Sequence, residues 1–351
     1  MAVAERVSER VERLRASLEE PLLVTTGVNV RYLVGLNSSN AALLVDAERV
    51  LLFTDFRYAE AARALEGVEF VQSQRLILKT VAERLDGTIG FEASGLTYDA
   101  WETLRDAGLE LVPRRGLVER LRAVKEEGEL TTIREAARIT DKAYAALADE
   151  RFVGRTERDV AWRMDQLLHE LGGHAVAFET HVNAGANGAM PHALPTDRVI
   201  ELNETVVVDA GCDIDGYKSD CTRTFATGAL PDDLANAYDA CLQGQLAGLE
   251  AMRAGVTGSD ADAAARRVIE DAGLGEKFGH GLGHGVGLLV HEAPTARPES
   301  TDVLEAGNVI TCEPGVYLEG RGGVRIEDLV VITDGEPEVL STYTKELITV
   351  R

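Results

Sequence analysis

The segment Thr205-Val-Val-Val-Asp209-Ala-Gly-Cys-Asp-Ile-Asp215-Gly216-Tyr-Lys-Ser-Asp220-Cys-Thr-Arg-Thr-Phe225 can close on itself in one way. Asp215-Gly216 supplies the two positive-φ positions of a type I′ turn. A two-residue loop centred there pairs Ile214 with Tyr217 and Asp209 with Thr222. Asp209 and Asp220 then share one face of the hairpin as diagonal neighbours, about 7 to 8 Å apart at the backbone. A solvent-facing hairpin would carry the same two aspartates without consequence. The valine run at 206–208 argues otherwise, because a strand that is apolar on both faces is buried, and a buried Asp needs a partner or a metal.

Three further stretches carry the same kind of chemistry. In Phe278-Gly-His280-Gly-Leu-Gly-His284-Gly-Val-Gly287, glycine fills every odd position from 279 to 287. That spacing excludes a stable helix and predicts extended backbone with glycine on one side and His280, Leu282, His284 and Val286 on the other. Glycine at this density permits close approach of backbone or ligand. His291 makes a third imidazole within twelve residues. Val309-Ile-Thr-Cys-Glu313-Pro-Gly reads as a strand ending in a turn, and Val324-Arg325-Ile-Glu327-Asp-Leu-Val-Val-Ile332 as a strand on which Arg325 and Glu327 face the same way. An ion pair between those two is the plain alternative. His192 lies between Pro191 and Pro195, a stiff setting that can aim an imidazole into a site; Phe178, His181 and Asn183 precede it and can line a pocket or pack. Asp209, Asp220, His284, Glu313 and Glu327 make an oxygen-rich donor set with one nitrogen. Such a set suits a pair of divalent ions such as Mn²⁺, Co²⁺ or Zn²⁺ that share carboxylates and activate water near neutral pH.

A chain of 351 residues exceeds what one core usually serves. All seven histidines and all four cysteines fall between residues 169 and 312. The first half is chemically bland: a helix predicted over residues 3–18 is followed by short strands at 21–25, 41–45 and 50–54 and helices at 58–64 and 97–107. The charged stretch 118–139 predicts a helix, and the domain boundary is placed at 123/124, giving domains 1–123 and 124–351 in an α+β chain of two α/β-type domains. Acidic residues outnumber basic ones 59 to 36, for a net charge of -23, so the field repels nucleic acid and anionic lipid. No apolar run approaches the roughly 18 residues of a membrane helix and no leader is visible, so a soluble cytoplasmic protein is expected. Cys212, Cys221, Cys241 and Cys312 lack paired spacing and are expected to be reduced thiols.

In order and spacing these segments resemble the pita-bread metallopeptidases, the family of aminopeptidase P, prolidase, methionine aminopeptidase and the metal-free creatinase. The resemblance rests on VDAG at Asp209, SDCTRT at Asp220, GHGVG at His284, CEPG at Glu313 and RIED at Glu327, and it spans nearly the whole chain. The PH-x-x-P run at His192, the VHEAP run at His291, and the segments Asn29-Val-Arg-Tyr-Leu33 and Leu52-Phe-Thr-Asp-Phe-Arg-Tyr58 are similar to the proline-specific branch and its creatinase-like N-terminal domain. The resemblance implies a curved antiparallel sheet covered by helices, a homodimer, and two ions held by the five residues. It further implies hydrolysis of the bond between an N-terminal residue and proline, with Glu313 also relaying a proton and His192 and His291 binding substrate and developing oxyanion. His181, His280, Tyr317, Arg325 and Arg297 are the expected substrate-side or supporting groups. One departure bears on specificity: short prolidase-like enzymes carry an arginine directly after HE-x-P, and here Thr295 stands there with Arg297 nearby. An Xaa-Pro dipeptidase and an Xaa-Pro aminopeptidase both remain open, beside a hydrolase of other C–N bonds in small amino-acid derivatives and a silent binding protein. The last would require lost ligands, and all five are retained.

Overall fold

The computed structural model describes residues 3–351, with side chains described from residue 9 onward. The chain divides into two compact units, residues 1–122 and 123–351. In the first, strands β1 (Leu22–Val24), β2 (Ala41–Val45), β3 (Val50–Thr54), β4 (Glu69–Gln72), β5 (Thr88–Glu92) and β6 (Glu110–Arg114) form one sheet in the order β4-β3-β2-β1-β5-β6. Its central strands are buried along nearly their whole length, as their unbroken apolar sequences require. The helix predicted at 97–107 runs Tyr98–Asp106, with Thr97 capping its first turn through a hydrogen bond from the Ala100 amide.

In the second unit two helices precede the first strands, β7 (Ala175–Val176), β8 (His181–Ala184), β9 (Thr205–Ala210), β10 (Cys212–Ile214), β11 (Tyr217–Lys218) and β12 (Cys221–Ala226). The remaining strands are β13 (Gly283–Gly285), β14 (Glu292–Ala296), β15 (Val309–Cys312), β16 (Gly315–Leu318), β17 (Gly322–Arg325), β18 (Asp328–Val331) and β19 (Glu338–Val339). The expected curved sheet is segmented into four antiparallel ladders, β12-β9-β8, β11-β10-β7, β14-β13-β15-β18-β19 and β16-β17. Two helix pairs cover them. Helices Glu127–Ala148 and Glu157–Glu170 bury Ile139, Tyr144, Met164 and Leu168 against Val206, Val208 and Phe225, while Asp232–Ala251 and Gly258–Asp271 bury Cys241, Ala265 and Ile269 against Ile310, Val324 and Val330. Tyr144 also donates to the carbonyls of Val208 and Cys221, so a buried hydroxyl ties the helix to both strands of the first hairpin.

Two predicted elements differ. The stretch 118–139 is two helices, Leu117–Ala123 and Glu127–Ala148, because Glu126 and Glu129 form a capping box that starts the second afresh. The glycine-alternating segment is a strand over only three residues, with a bulge between His284 and Gly285. The bulge breaks the two-residue period. His280 and His284 line the cavity described below, whereas Leu282, just before the strand, and Val286, just after it, are fully buried in separate apolar cores.

The glycines of that segment do what their density implies. A Cβ on Gly283 would lie 2.0 Å from the Thr311 carbonyl oxygen and one on Gly285 2.3 Å from that of Ala293, whereas one on Gly279 would meet nothing within 4 Å. Gly283→Ala is therefore expected to destabilise the protein by about 1–3 kcal/mol in urea unfolding. Gly279→Ala should stay within about 0.5 kcal/mol. Equal effects would show that close backbone packing does not set the glycine pattern.

Candidate metal centre

The first hairpin keeps one register throughout. Ile214 pairs with Tyr217, Cys221 with Ala210, and Asp209 with Thr222, while Asp215 and Gly216 take φ of 48° and 80° at the turn. Asp209 is thus flanked across the sheet by Thr222 on one side and His181 on the other. Strands β13 and β15 are joined by the pairing of Gly285 with Ile310, which brings His284 beside the end of β15 and Glu313. His284 Nε2 lies 3.1 Å from Glu313 and 3.7 Å from Asp220. Ligand atoms of Asp220, His284 and Glu327 all lie within 4.8 Å of one another.

These residues line a cavity of about 340 Å³. The five expected metal ligands and seven expected substrate-side or supporting groups all border it: Asp209, Asp220, His284, Glu313 and Glu327, with His181, His192, His280, His291, Arg297, Tyr317 and Arg325. The alternative ion pair between Arg325 and Glu327 is not made. Arg325 instead donates to Asp209 at 2.7 Å, and also to the Tyr317 hydroxyl at 3.2 Å and to Thr222 at 3.0 Å. Nε2 of His280 meets the Tyr317 hydroxyl at 2.9 Å and its Nδ1 the Gly281 carbonyl at 2.8 Å. That second contact makes Nδ1 the protonated nitrogen and Nε2 an acceptor from the tyrosine. Phe178 borders the cavity too, while Asn183 is buried.

Two groups were missed in the sequence. Thr222 donates to Glu327 at 2.7 Å and Thr311 to Glu313 at 3.0 Å, so each glutamate has one oxygen fixed by a hydroxyl. The signal was present: Thr222 lies two residues after Asp220 and Thr311 two before Glu313, on the cavity side of their strands. A larger cavity of about 510 Å³ occurs in the first unit, bordered by Ser38, Asn40, Arg75 and Lys79. It has one carboxylate, Asp99, and no histidine, and so lacks the donor set.

The electrostatics are those of a site short of positive charge. Burial pushes Asp220 and Glu327 well above the usual carboxylate range, and the neighbouring carboxylates push in the same direction. Burial acts the same way on Glu313, but the hydrogen bond and charge of His284 outweigh it and bring that carboxyl down to about 2. The same contact keeps His284 above its ordinary value despite burial. Asp209 Oδ1 is buried with no hydrogen-bond partner. An orphaned carboxylate oxygen, three converging donor atoms and an oxygen-rich set together fit divalent ions.

Metal uptake then has a defined pH sign. Asp220 and Glu327 hold protons in the metal-free protein at pH values where free carboxyls have lost them, and an incoming ion must displace those protons. Mn²⁺ titration by calorimetry in two buffers of different ionisation heat, near pH 6.5, should show net proton release and an affinity that rises from pH 5.5 to 7.5. Binding without proton release would contradict this electrostatic picture.

Comparison with known proteins agrees with this geometry. Residues 131–334 match metallopeptidase family M24, and residues 10–124 match the creatinase/prolidase N-terminal domain. An Xaa-Pro dipeptidase of Pyrococcus furiosus is 32% identical over 354 residues, covering 97% of this chain and 100% of that one. The structure of an Xaa-Pro dipeptidase from Bacillus anthracis superposes with a TM-score of 0.94 at 36% identity, over 98% of this chain and 100% of the other. An X-Pro aminopeptidase from Thermotoga maritima gives 0.86 at 31% identity, over 97% and 100%. By the family match over most of its second unit and by relatives aligned along nearly its whole length, the chain belongs to metallopeptidase family M24.

Proposed function

We propose that this protein is a metal-dependent peptidase that cleaves the bond between an N-terminal residue and proline, with Asp209, Asp220, His284, Glu313 and Glu327 holding two divalent ions. The observation that carries the reading is the convergence of four carboxylates and one imidazole in a cavity that also presents His181, His192, His280 and His291. Similarity along the full length to Xaa-Pro dipeptidases and an X-Pro aminopeptidase supplies the substrate class. The oxygen-rich donor set favours Mn²⁺ or Co²⁺, with Zn²⁺ also accommodated. A homodimeric, cytoplasmic enzyme completes the proposal; support for it is the family resemblance, with no helix among the described residues long and apolar enough to cross a membrane.

Bound ions would supply Lewis-acid activation of water and polarisation of the scissile carbonyl. The chain's own groups do the rest. In this reading Glu313, one oxygen of which is fixed by Thr311, takes a proton from the attacking water and hands it to the departing proline nitrogen. His192 and His291 border the cavity as donors to the substrate carbonyl and the charge that develops on it, each worth about 3–4 kcal/mol of barrier if it acts as oxyanion donors do. Arg325 orients Asp209 and, through Tyr317, the ring of His280.

Substrate length is set at the end of β14. Thr295 is neutral, and its hydroxyl is held by Ser300 and Asp302, both at 3.0 Å, so it offers no cation to a dipeptide's carboxylate. Arg297 borders the cavity two residues further on, just past the end of β14, exposed, with no ion pair among the described residues. A cation beyond the strand end, with none at Thr295, suits the carboxylate of a peptide longer than a dipeptide. The proposed substrate is therefore an Xaa-Pro-Xaa peptide in preference to an Xaa-Pro dipeptide.

The metal-loaded enzyme should turn over Ala-Pro-Ala with a higher kcat/KM than Ala-Pro. Arg297→Met should raise KM for the tripeptide about 10-fold with kcat little changed, and leave a C-terminally amidated tripeptide unaffected. Dipeptide preference would reverse the length assignment. No turnover of either peptide, with hydrolysis of a small acylated amino acid or amidine, would replace the peptidase reading with that of another C–N hydrolase.

A further inference from the structure

Glu327 occupies a gap in the sheet. Strand β17 ends at Arg325 and β18 begins at Asp328, so the backbone of Ile326 and Glu327 lies outside both ladders. The Glu327 amide donates to the Thr222 carbonyl at 3.1 Å. Its carbonyl accepts from Nη1 of Arg223 in a very short contact, with a weaker contact from the Cys221 thiol at 3.5 Å. The guanidinium thus stands where a ladder hydrogen bond would otherwise be, at the one point of the strand that presents a proposed metal ligand.

Alternation along the two strands makes this a two-sided clasp. On the cavity face Thr222 fixes the Glu327 carboxylate; on the hidden face the next residues, Arg223 and Asp328, pair at 2.8 Å. Both are almost completely buried, with side-chain exposure of 3% and 0%. The remaining donors of Arg223 reach the carbonyls of Thr222, Tyr343 and Thr344, so the guanidinium is saturated. Asp328 is equally engaged: beside Arg223 it accepts from Gln245 at 2.8 Å and from Lys345 at 2.5 Å. None of these groups borders the cavity. Carboxyl groups crowded together with no ion relieve their repulsion by protonation or by spreading, and a backbone outside the ladder is where spreading meets least resistance.

We propose that Arg223 and Asp328 are positioning residues that hold Glu327 in the metal-ready geometry before any ion binds. The proposal rests on Glu327 being a ligand, as in the function proposed above. A fixed ligand lowers the reorganisation that metal binding must accomplish, so the pair acts on metal affinity and through it on rate, and leaves substrate binding alone.

The test is Mn²⁺ calorimetry on full-length wild-type, Asp328→Asn, Arg223→Lys and Lys345→Met proteins, with thermal melts in chelator and steady-state kinetics at saturating metal. Asp328→Asn and Arg223→Lys are each expected to weaken the affected Mn²⁺ site about 10- to 100-fold, in the range found for groups that orient metal ligands, with KM for the Xaa-Pro peptide within twofold of wild type. Lys345→Met leaves the contact of Arg223 with Glu327 intact and should bind Mn²⁺ within about threefold of wild type, whatever its melting temperature. Should Arg223→Lys not fold, Asp328→Asn, which retains an acceptor oxygen of the same shape, carries the test. Wild-type Mn²⁺ affinity in a folded Asp328→Asn protein overturns the proposal, as does an equal loss in Lys345→Met, which would reduce the effect to general stability. A wild-type protein that binds no divalent ion would instead remove the ligand assignment beneath it.

Discussion

Carboxylates crowded into a half-dry cavity repel one another, and the repulsion grows as water is excluded. Asp209, Asp220, Glu313 and Glu327 meet in such a cavity. The second unit is organised around holding them there. His284 offsets Glu313, Arg325 offsets Asp209, and Thr222 and Thr311 each fix one glutamate oxygen. What is left uncompensated, the raised Asp220 and Glu327 and the orphaned oxygen of Asp209, amounts to a deficit of positive charge that divalent ions can fill.

The architecture follows from supporting that cluster from both sides. One helix pair backs the hairpin that carries Asp209 and Asp220, and the other backs the strands that carry Glu313 and Glu327. His284 joins the two halves from a strand whose glycines let it pass within hydrogen-bonding distance of both its neighbours. The proposed ligands are thus set on packed strands and their ends, which are stiffer than loops. The proposed substrate-facing groups His192, His291 and Arg297 are more exposed and border the same cavity.

Much of this could be read from sequence, because local chemistry fixes local geometry. The Asp215-Gly216 turn sets the register of a whole hairpin, and that register alone places Asp209 and Asp220 on one face. Glycine density likewise marks the close passage of the His284 strand. Information that depends on which strands become neighbours was not legible. Arg325 faces the same cavity as Glu327, as the two-residue period says, yet it pairs with Asp209 on a strand 116 positions earlier. The register shift against β14 at His284/Gly285 is likewise a matter of pairing, and Leu282 and Val286, just outside the short strand, enter separate cores. The helical break at 124–126 needed the capping box of Glu126 and Glu129 to be weighed against the high helix propensity around it.

The central claim is that the five-residue cluster holds ions on which peptide hydrolysis depends. Its most direct test is metal content measured by plasma mass spectrometry alongside Xaa-Pro hydrolysis, before and after chelation and again after reloading with Mn²⁺. The account predicts about two ions per loaded chain, loss of hydrolysis as they are stripped, and recovery with them. Hydrolysis that persists in protein stripped to a small fraction of an ion per chain would contradict it.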